Sequence, residues 1–541
     1  MSTTRSIRPT TPARTPARVA FVGAGPGDAG LMTVRALEYL AEADAVVIDQ
    51  VAREEVVERH ARADVEVVDA GHGEHGQPLT HASRSKLVVR AAKAHPGGLV
   101  VRLMDGDPAT FNGLAEEAAA CVKAGVPFEV VPGVSSVSAV PTYAGVPLTT
   151  TGSRGIHVIT AGQKLKDLAV ATDPSVTVVV LGQPDTLVAT LEALREAGRA
   201  GETPVAITER GTTVEQVTVT TTLAEVATAA KSIQFPALAV VGDTVSLRDS
   251  LSWFETKPLF GWNVLVPRTK DQSGPMVRRL ERYGARATTV PTISVEPPRT
   301  PQQIERAVKG LVTGRYEWVG FTSVNAVKAI REKFEEFGLD ARSFAGLKVA
   351  AVGGVTADAL RAWGINPDLV PSGEQSAKGL LDEWPPFDEV LDPINRVFLP
   401  RADIATETLV AGLHDMGWEV DDVTAYRTVR AAPPAAPIRD AIKNGSYDAV
   451  VFTSSSTVRN LVGIAGKPHP STVIACIGPA TAKTAEECGL RVDVLAPEPS
   501  ADQLVDALAD HGRSLALAAE ESGGAAVRPS QKRPPARRRA K

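Results

Sequence analysis

The sequence predicts an α/β protein made of two consecutive parts, each with two lobes. Apolar runs of strand length alternate with helical stretches from Val19 onward, which is typical of parallel α/β layering. This pattern ends at Trp253, and a new strand begins at Val264. Beyond that point related segments recur after roughly 130 residues, an interval too long for a solenoid repeat.

Length and composition limit the class of protein. The 541 residues suggest three or four domains of about 100–200 residues each. The net charge of −5 argues against a general nucleic-acid binder. No apolar stretch approaches the roughly 18 residues of a membrane span, so we expect no membrane contact. The three scattered cysteines lack metal-site spacing, which favours a reducing cytoplasm.

Both ends of the chain are expected to be disordered. Residues 1–17 are rich in Thr, Pro and Arg and lack the apolar core of a secretory signal. Residues 513–541 end in a basic, proline-containing stretch, which indicates a solvated tail. Contact of this tail with nucleic acid is the alternative interpretation.

A glycine-rich turn follows the first apolar run. Gly23, Gly25 and Gly27 resemble a dinucleotide fingerprint, but its third small position is occupied by Asp28. A carboxylate there would repel a pyrophosphate, and Pro26 has no N–H to donate to one. The turn therefore predicts a neutral or cationic ligand and no binding of NAD or FAD.

The second half of the chain contains an internal duplication. The matching pairs are WVGFTSVNAV (318–327) with AVVFTSSSTV (449–458), KVAAVGGVTADAL (348–360) with VIACIGPATAKTA (473–485), and VLVPRT (264–269) with VFLPRA (397–402). Three pairs in near register indicate two related α/β lobes.

The first half resembles the tetrapyrrole methylase family across residues 18–255. The motifs are VGAGPGD, DGDPATF (105–111), VPGVSSVSAV, ERGTTVEQ (209–216) and FPALAVVGD, and their order looks like that of uroporphyrinogen-III C-methyltransferase. The resemblance implies two lobes with a boundary near residue 150 and S-adenosylmethionine in the cleft between them. It also implies methylation of uroporphyrinogen III at C2 and C7 to give precorrin-2.

The same resemblance implies site residues. Asp49 stands where the family places a general base, and His72 stands where a lysine is expected. Metal binding by His72, His75 and His81 is the alternative, but no further ligand completes a set, so we expect no metal. The positions matching the family's cofactor contacts are Gly25, Pro26, Gly27, Asp105, Gly106, Asp107, Thr110, Ser135, Ser136, Leu181 and Gly211.

The second half resembles the uroporphyrinogen-III synthase family across residues 262–512. YEWVGFTSVNAV, VTAYRTV and ACIGPATAKTAEECGL carry this resemblance. It implies one lobe from 262–295 and 428–512, another from 296–427, and a two-stranded ladder of PTISV with AYRTV between them. It also implies closure of hydroxymethylbilane with inversion of ring D.

The synthase resemblance assigns residues as well. Tyr426 and Thr481 match positions given a catalytic role in the family, and their structural alternatives are a ladder tyrosine and a helix N-cap. Hydroxyl and backbone N–H groups suit the carboxylates of a flexible polyanion. The candidate substrate-binding residues are Thr322, Ser323, Thr453, Ser454, Ser455 and Gly478.

The two resemblances together predict a bifunctional enzyme, because the synthase product is the methyltransferase substrate. Without a dehydrogenase–chelatase segment, the chain is expected to stop at precorrin-2 and to bind neither NAD nor iron. One alternative keeps an active synthase beside a degenerate, structural methylase-like half, since Asp105 and Ala109 depart from the methylase pattern. The other is a non-enzymatic regulatory or nucleic-acid-binding protein. A homodimer of the methylase half is left open.

Overall fold

The computed structural model describes residues 17–49, 54–72, 78–162, 169–524 and 527–532. Within these ranges there are four five-stranded sheets, and helices cover them in α/β lobes. The chain divides into two compact units. The first comprises Met1–Trp262 with Tyr283–Arg286, and the second Asn263–Arg282 with Ala287–Lys541.

Lobe 1 of the first unit is a parallel sheet covered on both faces. Its strands are β1 (Arg18–Gly23), β2 (Ala45–Ile48), β3 (Glu66–Asp69), β4 (Leu99–Met104) and β5 (Phe128–Val131). Its helices are α1 (Val34–Glu42), α2 (Glu54–His60), α3 (His81–Ala94), α4 (Leu114–Lys123) and α5 (Ser136–Tyr143). The strand order is β3-β2-β4-β1-β5, with every pair parallel. Alternate residues of β1 pack on α1 and α2 or on α3 and α4, which explains its continuous apolar run.

Lobe 2 corrects the expectation of parallel layering. Its strands are β6 (Gly155–Thr160), β7 (Val176–Gly182), β8 (Pro204–Glu209), β9 (Val217–Thr222) and β10 (Ala237–Val241), in the order β6-β7-β10-β8-β9. Its helices are α6 (Ala169–Thr172), α7 (Pro184–Glu196), α8 (Val226–Ala229) and α9 (Arg248–Leu251). Only the β6–β7 pair is parallel among these strands, and the other three pairs are antiparallel.

The direction of these strands was not evident from their composition. A buried strand shows the same apolar pattern whether it pairs parallel or antiparallel. The length of the loop that joins two strands decides between these pairings. Residues 210–216 join β8 to β9, and such a loop is too short for the crossover of a dozen or more residues that a parallel pair needs.

The second unit holds the other two sheets. Its strands are β11 (Asn263–Val266), β12 (Arg286–Thr289), β13 (Ile293–Glu296), β14 (Trp318–Phe321), β15 (Lys348–Ala351), β16 (Arg396–Ala402), β17 (Glu419–Arg430), β18 (Ala449–Phe452), β19 (Val473–Cys476) and β20 (Val494–Leu495). Lobe 3 has the order β12-β11-β18-β19-β20, and lobe 4 has the order β13-β17-β16-β14-β15. Lobe 3 is therefore built from two separate stretches of chain, with lobe 4 inserted between them.

Ten helices accompany these strands in the described part of the second unit. They are α10 (Lys270–Arg282), α11 (Pro301–Val312), α12 (Val324–Glu336), α13 (Gly354–Ala362), α14 (Ala377–Glu383), α15 (Thr408–Asp415), α16 (Ala436–Asn444), α17 (Ser455–Ala465), α18 (Pro479–Glu487) and α19 (Ala501–Glu521). No helix in the described ranges has the length and apolar character needed to cross a bilayer.

The ladder expected between the lobes is confirmed. Strand β13 pairs antiparallel with the last residues of β17, so that Ile293 faces Arg430 and Glu296 faces Arg427. The first residues of β17 pair parallel with β16. The long strand β17 thus belongs to the sheet of lobe 4 and also carries the ladder.

The internal duplication has a structural counterpart. The sequence β14–α12–β15–α13 in lobe 4 matches β18–α17–β19–α18 in lobe 3, and both strand pairs are parallel. Phe321 and Phe452 are both fully buried at the strand ends. Two residues later, Ser323 and Ser454 both cap the following helix with their hydroxyls. The residues shared by the two copies of the repeat therefore belong to one strand–turn–helix unit.

The expectation of a disordered tail from residue 513 is wrong for residues 513–521, because these residues continue α19 to Glu521. The run SLALAAEE consists of good helix formers, so the helix does not end where the family resemblance ends. Further on, Pro529 is buried, and the N–H of Ser530 donates to Asp448 at 2.8 Å. Residues 1–16 and 533–541 lie outside the described residues.

Candidate active sites

The glycine turn after β1 packs backbone against backbone. Gly25 has a φ of +71° and Gly106 a φ of +63°, and their N–H groups donate to each other's carbonyl oxygens at 3.2 and 2.8 Å. A Cβ at Gly23 would lie 2.5 Å from the Cα of Gly133. The turns after β1, β4 and β5 therefore meet at one edge of the sheet, at distances that only glycine permits.

Asp28 fixes this turn to lobe 2. Its carboxylate accepts hydrogen bonds at 2.8 Å from the N–H of Gly30 and from the hydroxyl of Tyr143. Its own N–H donates to the hydroxyl of Thr212 at 3.1 Å. Burial and the bond to Asp28 raise the pKa of the Tyr143 phenol, so this hydroxyl stays a donor. The sequence showed Asp28 only as a misfit to the dinucleotide pattern.

A cavity of about 1360 Å³ lies between lobes 1 and 2. It is larger than the roughly 300–1,000 Å³ of ordinary ligand pockets, so it has room for more than one small molecule. Of the eleven residues proposed from sequence as cofactor contacts, Gly25 is not part of the lining. The other ten line it: Pro26, Gly27, Asp105, Gly106, Asp107, Thr110, Ser135, Ser136, Leu181 and Gly211.

The polar residues of the lobe 1 lining hold one another in place. Asp107 accepts hydrogen bonds from the N–H of Gly133 at 3.1 Å and from the hydroxyl of Thr110 at 3.1 Å. The amide of Asn112 donates to the carbonyl oxygens of Asp105 and of Asp107. Asn112, which also lines the cavity, was missed in the sequence because an isolated asparagine carries no pattern.

Three non-glycine residues in the described chain have a positive φ, and all lie in loops at this cavity. They are Phe111, Arg210 and Thr212, with φ of +62°, +50° and +68°. Phe111 is 58% exposed and lines the cavity, as does Arg210, whose guanidinium stacks 3.7 Å from the ring centroid of Phe235. Such conformations cost about 1–3 kcal/mol and are typical of functional sites.

Asp49 and His72 do not belong to the lining of the cavity. The carboxylate of Asp49 accepts a hydrogen bond from Arg102 at 3.0 Å and pairs with Arg84 at 3.6 Å. Arg102 is fully buried and also donates to Glu117 at 2.7 Å. His72 is exposed.

The alternative metal site involves one histidine whose placement is not described. His75 lies outside the described residues, and no group of three metal-binding side chains occurs within them.

In the second unit, four helices begin directly after parallel strands. Helices α12, α13, α17 and α18 follow β14, β15, β18 and β19, with Ser323, Gly353, Ser454 and Gly478 as N-caps. The first N–H groups of a helix have no partner within it, and they carry the positive end of the helix dipole. These edges therefore suit anionic groups.

The proposed substrate-binding residues lie at these edges. Thr322 and Ser323 lie between β14 and α12, and Thr453 and Ser454 lie between β18 and α17. The hydroxyl of Ser454 forms a capping box with Thr457. Ser455 donates to the carbonyl oxygen of Ala480 at 3.0 Å, which joins the starts of α17 and α18.

The two proposed catalytic residues of this unit lie on different lobes. Tyr426 is 6% exposed in β17 of lobe 4, and its hydroxyl lies 2.9 Å from that of Ser323. Thr481 is the third residue of α18 in lobe 3 and is 5% exposed. The helix is capped by Gly478, so Thr481 is not the N-cap considered as its structural alternative.

Both halves match known families. Residues 18–227 match the tetrapyrrole (corrin/porphyrin) methylases, and residues 274–506 match uroporphyrinogen-III synthase HemD. The chain thus joins a methyltransferase and a synthase of tetrapyrrole biosynthesis, as the motifs predicted.

A relative that matches nearly the whole chain identifies the family. The porphyrin biosynthesis protein HemD of Ruminiclostridium josui is 32% identical over 506 residues, which cover 91% of this chain and 98% of that protein. The chain belongs to this family of porphyrin biosynthesis proteins. Siroheme synthase 1 of Klebsiella pneumoniae is 38% identical over 264 residues, 47% of this chain and about half, 55%, of that relative. The uroporphyrin III C-methyl transferase of Thermus thermophilus is 35% identical, with a TM-score of 0.37, over 42% of this chain and 99% of its own.

Proposed function

We propose that this chain performs two consecutive reactions. The second unit closes hydroxymethylbilane to uroporphyrinogen III with inversion of ring D. The first unit then methylates uroporphyrinogen III at C2 and C7 with S-adenosylmethionine to give precorrin-2. The observation that carries the proposal is that ten of the eleven expected cofactor contacts surround one cavity, in a chain that also contains the synthase family.

The residues of the cavity fit a cationic cosubstrate. S-adenosylmethionine supplies an electrophilic methyl group on a positively charged sulfur when it is bound. Asp105 and Asp107 line the cavity, and carboxylates are favourable near a cation and unfavourable near a pyrophosphate. A Cβ at Gly27 would lie 2.7 Å from the hydroxyl of Thr212, so only glycine permits this close approach of the turn to lobe 2.

The chain's contribution to methyl transfer is mainly positioning. A pyrrole carbon is electron-rich, so holding it in line with the methyl group and excluding water supplies most of the catalysis. Asp49 is better assigned as a positioning residue than as the general base. Its carboxylate accepts a hydrogen bond from Nη2 of Arg102. Nη1 of the same arginine donates at 2.9 Å to the carbonyl of Leu103, two residues before Asp105.

In the second unit, ring closure requires loss of water from the hydroxymethyl carbon of the bilane. The carbon–oxygen bond breaks, and the leaving oxygen takes a proton or a hydrogen bond from an acid. We assign the Tyr426 hydroxyl to this role, with Ser323 fixing its orientation at 2.9 Å. The N-termini of α12, α13, α17 and α18 suit the carboxylates of the bilane.

The test is incubation of the purified chain with hydroxymethylbilane, with and without S-adenosylmethionine, followed by chromatography and mass spectrometry. We expect the ring-inverted isomer without the cosubstrate and a product carrying two added methyl groups with it. The non-inverted isomer alone, at the rate of spontaneous closure, would contradict the synthase assignment.

A second candidate function keeps the synthase and makes the first unit structural. It is favoured by the placement of Asp49 and His72 outside the cavity lining. Under this alternative the inverted isomer forms, but no methyl group is incorporated and calorimetry detects no S-adenosylhomocysteine binding.

A further inference from the structure

Arg268 and Arg401 occupy the same place in the duplicated sequence, in VLVPRT and VFLPRA. In lobe 4, the Arg401 guanidinium donates to the carboxylate of Asp422. It also donates to the carbonyl of Thr406 at 2.6 Å and to Glu407 at 3.2 Å. Arg401 is 5% exposed, so its charge is buried and neutralised within its own lobe.

Arg268 in lobe 3 differs in its surroundings. It is half-buried, two residues after the end of β11, and its backbone N–H donates to Val266 at 2.9 Å. Among the described contacts its guanidinium has no hydrogen-bond or ion-pair partner. Burial lowers the pKa of the Arg268 guanidinium, and no acidic group among the described residues opposes that effect. Removing a charge from water without a partner is costly, so this arginine is expected to have a role outside the fold itself.

The position of Arg268 suggests that role. Strand β11 pairs parallel with β18, and β18 pairs parallel with β19. The carboxyl ends of the three strands therefore lie along one edge. Arg268 follows the first strand, and the capped starts of α17 and α18 follow the other two. Its cation thus shares an edge with two helix N-termini that favour anions.

We propose that Arg268 binds a carboxylate of hydroxymethylbilane and is a specificity-determining residue of the synthase. This inference rests on the proposed synthase function. Lobe 3 then supplies the ionic contact to the substrate, whereas lobe 4 supplies the hydroxyls of Tyr426 and Ser323. An arginine–carboxylate contact is charge-assisted and can be bidentate, so it fixes orientation as well as affinity.

The experiment compares Arg268→Gln, Arg268→Lys and Arg459→Gln in the full-length chain. Arg459 is a matched control, because it is an exposed arginine of lobe 3 whose partner, Glu487, lies at the far end of α18, 3.9 Å away. We expect Arg268→Gln to raise the KM for hydroxymethylbilane about tenfold with kcat within twofold. Arg268→Lys should recover part of the loss, and Arg459→Gln should match the wild type.

A second measurement does not depend on turnover. Thermal unfolding should show no lower Tm for Arg268→Gln, because the guanidinium that is removed has no partner among the described residues. Binding of uroporphyrin III, followed by its fluorescence, should weaken about tenfold in that variant only.

Outcomes separate this inference from the function on which it rests. If the wild-type chain does not close hydroxymethylbilane, both the synthase function and the role of Arg268 are overturned. An active wild type with an Arg268→Gln variant of unchanged KM and unchanged uroporphyrin binding overturns the role of Arg268 alone. A lower Tm together with a fall in kcat, and no change in KM, also overturns it, because that is the signature of a structural residue.

Discussion

The candidate sites of the two units differ in the groups that form them. In the first unit, the site is a cavity bordered by a glycine turn, in which Gly25 and Gly106 bond to each other through their backbones and Asp28 fixes the turn. In the second unit, the site residues are hydroxyls and helix N-termini at strand ends, such as Ser323 and Ser454. A concave cavity suits small-molecule ligands, whereas several separate N–H and O–H donors suit a flexible polyanion.

The comparison predicts its largest effect at Gly25. A valine there must adopt a φ near +71°, which a β-branched residue resists, so the turn is expected to shift beside the cavity. We expect Gly25→Val to reduce methyl incorporation by more than about 100-fold, because misplacement of reacting groups by about 1 Å costs that much. Ring closure by the same protein should be unchanged.

Gly97→Val is the matched control for this substitution. Gly97 has a φ of +78°, but a Cβ there would meet nothing within 4 Å. The control carries the same backbone strain in a turn that does not line the cavity, so both activities should survive. Equal loss in the two variants would mean that strain, and not the shape of the turn, explains the effect at Gly25.

The second effect concerns the hydroxyl of Tyr426. Tyr426→Phe removes only this group and its contact with Ser323, so ring closure should slow by about 100-fold while the fold is kept. The measurement is the rate of formation and the isomer ratio of uroporphyrinogen. Methyl transfer to supplied uroporphyrinogen III should continue.

Tyr316→Phe tests whether any buried hydroxyl of lobe 4 gives the same result. Tyr316 is also buried, belongs to the same core cluster and donates to Asp421 at 2.7 Å. We expect its loss to affect stability and not the rate of closure. If Tyr426→Phe closes the ring as fast as Tyr316→Phe, Tyr426 is a core tyrosine.

A smaller effect is expected at Asp28. Asp28→Ala removes the acceptor of Gly30 and Tyr143 but keeps the N–H bond to Thr212. The glycine turn should loosen, which raises the KM for S-adenosylmethionine about tenfold, because a charged acceptor of two hydrogen bonds is lost. An unchanged KM together with a lower Tm would make Asp28 a stabilising residue only.

The smallest effect separates two helix caps. Ser454→Ala and Ser323→Ala each remove an N-cap and should lower the free energy of unfolding by about 1 kcal/mol. Only Ser323 also contacts the Tyr426 hydroxyl, so Ser323→Ala should in addition slow ring closure. Chemical denaturation and closure rates, measured on both variants, distinguish capping from catalysis. Equal closure rates would remove Ser323 from the mechanism.

The sequence predicted the site best where local pattern and chemistry coincide. The motifs after β1, β4 and β5 match the methylase family position by position, and this resemblance located eight of the ten lining residues, with Leu181 and Gly211 as the other two. The ladder of β13 with β17 was predictable from the resemblance to the synthase family. Contacts between distant residues, such as Asp28 with Thr212, left no local pattern and were missed.

The direction of a strand, the partner of a buried side chain and the end of a helix could not be predicted from the local sequence. The direction of β10 is decided by its connections, not by its apolar residues. Asp49 ends a strand as expected, but the buried Arg102 binds its carboxylate, and that arginine appears in the sequence only as one charge in an apolar run. The continuation of α19 to Glu521 lies beyond the family motifs.

The interrupted chain of lobe 3 has a consequence for synthesis on the ribosome. The N–H of Asn263 donates to Asp448 at 2.8 Å across 185 positions of sequence, and the N–H of Ser530 donates to the other oxygen of the same buried carboxylate. Lobe 4 is therefore complete in the nascent chain while β11 still lacks its partner β18. Pairing over such a separation is slow, because loop-closure entropy is lost before contacts form. The second unit should reach its native state only after its last residues emerge, with lobe 4 folding first.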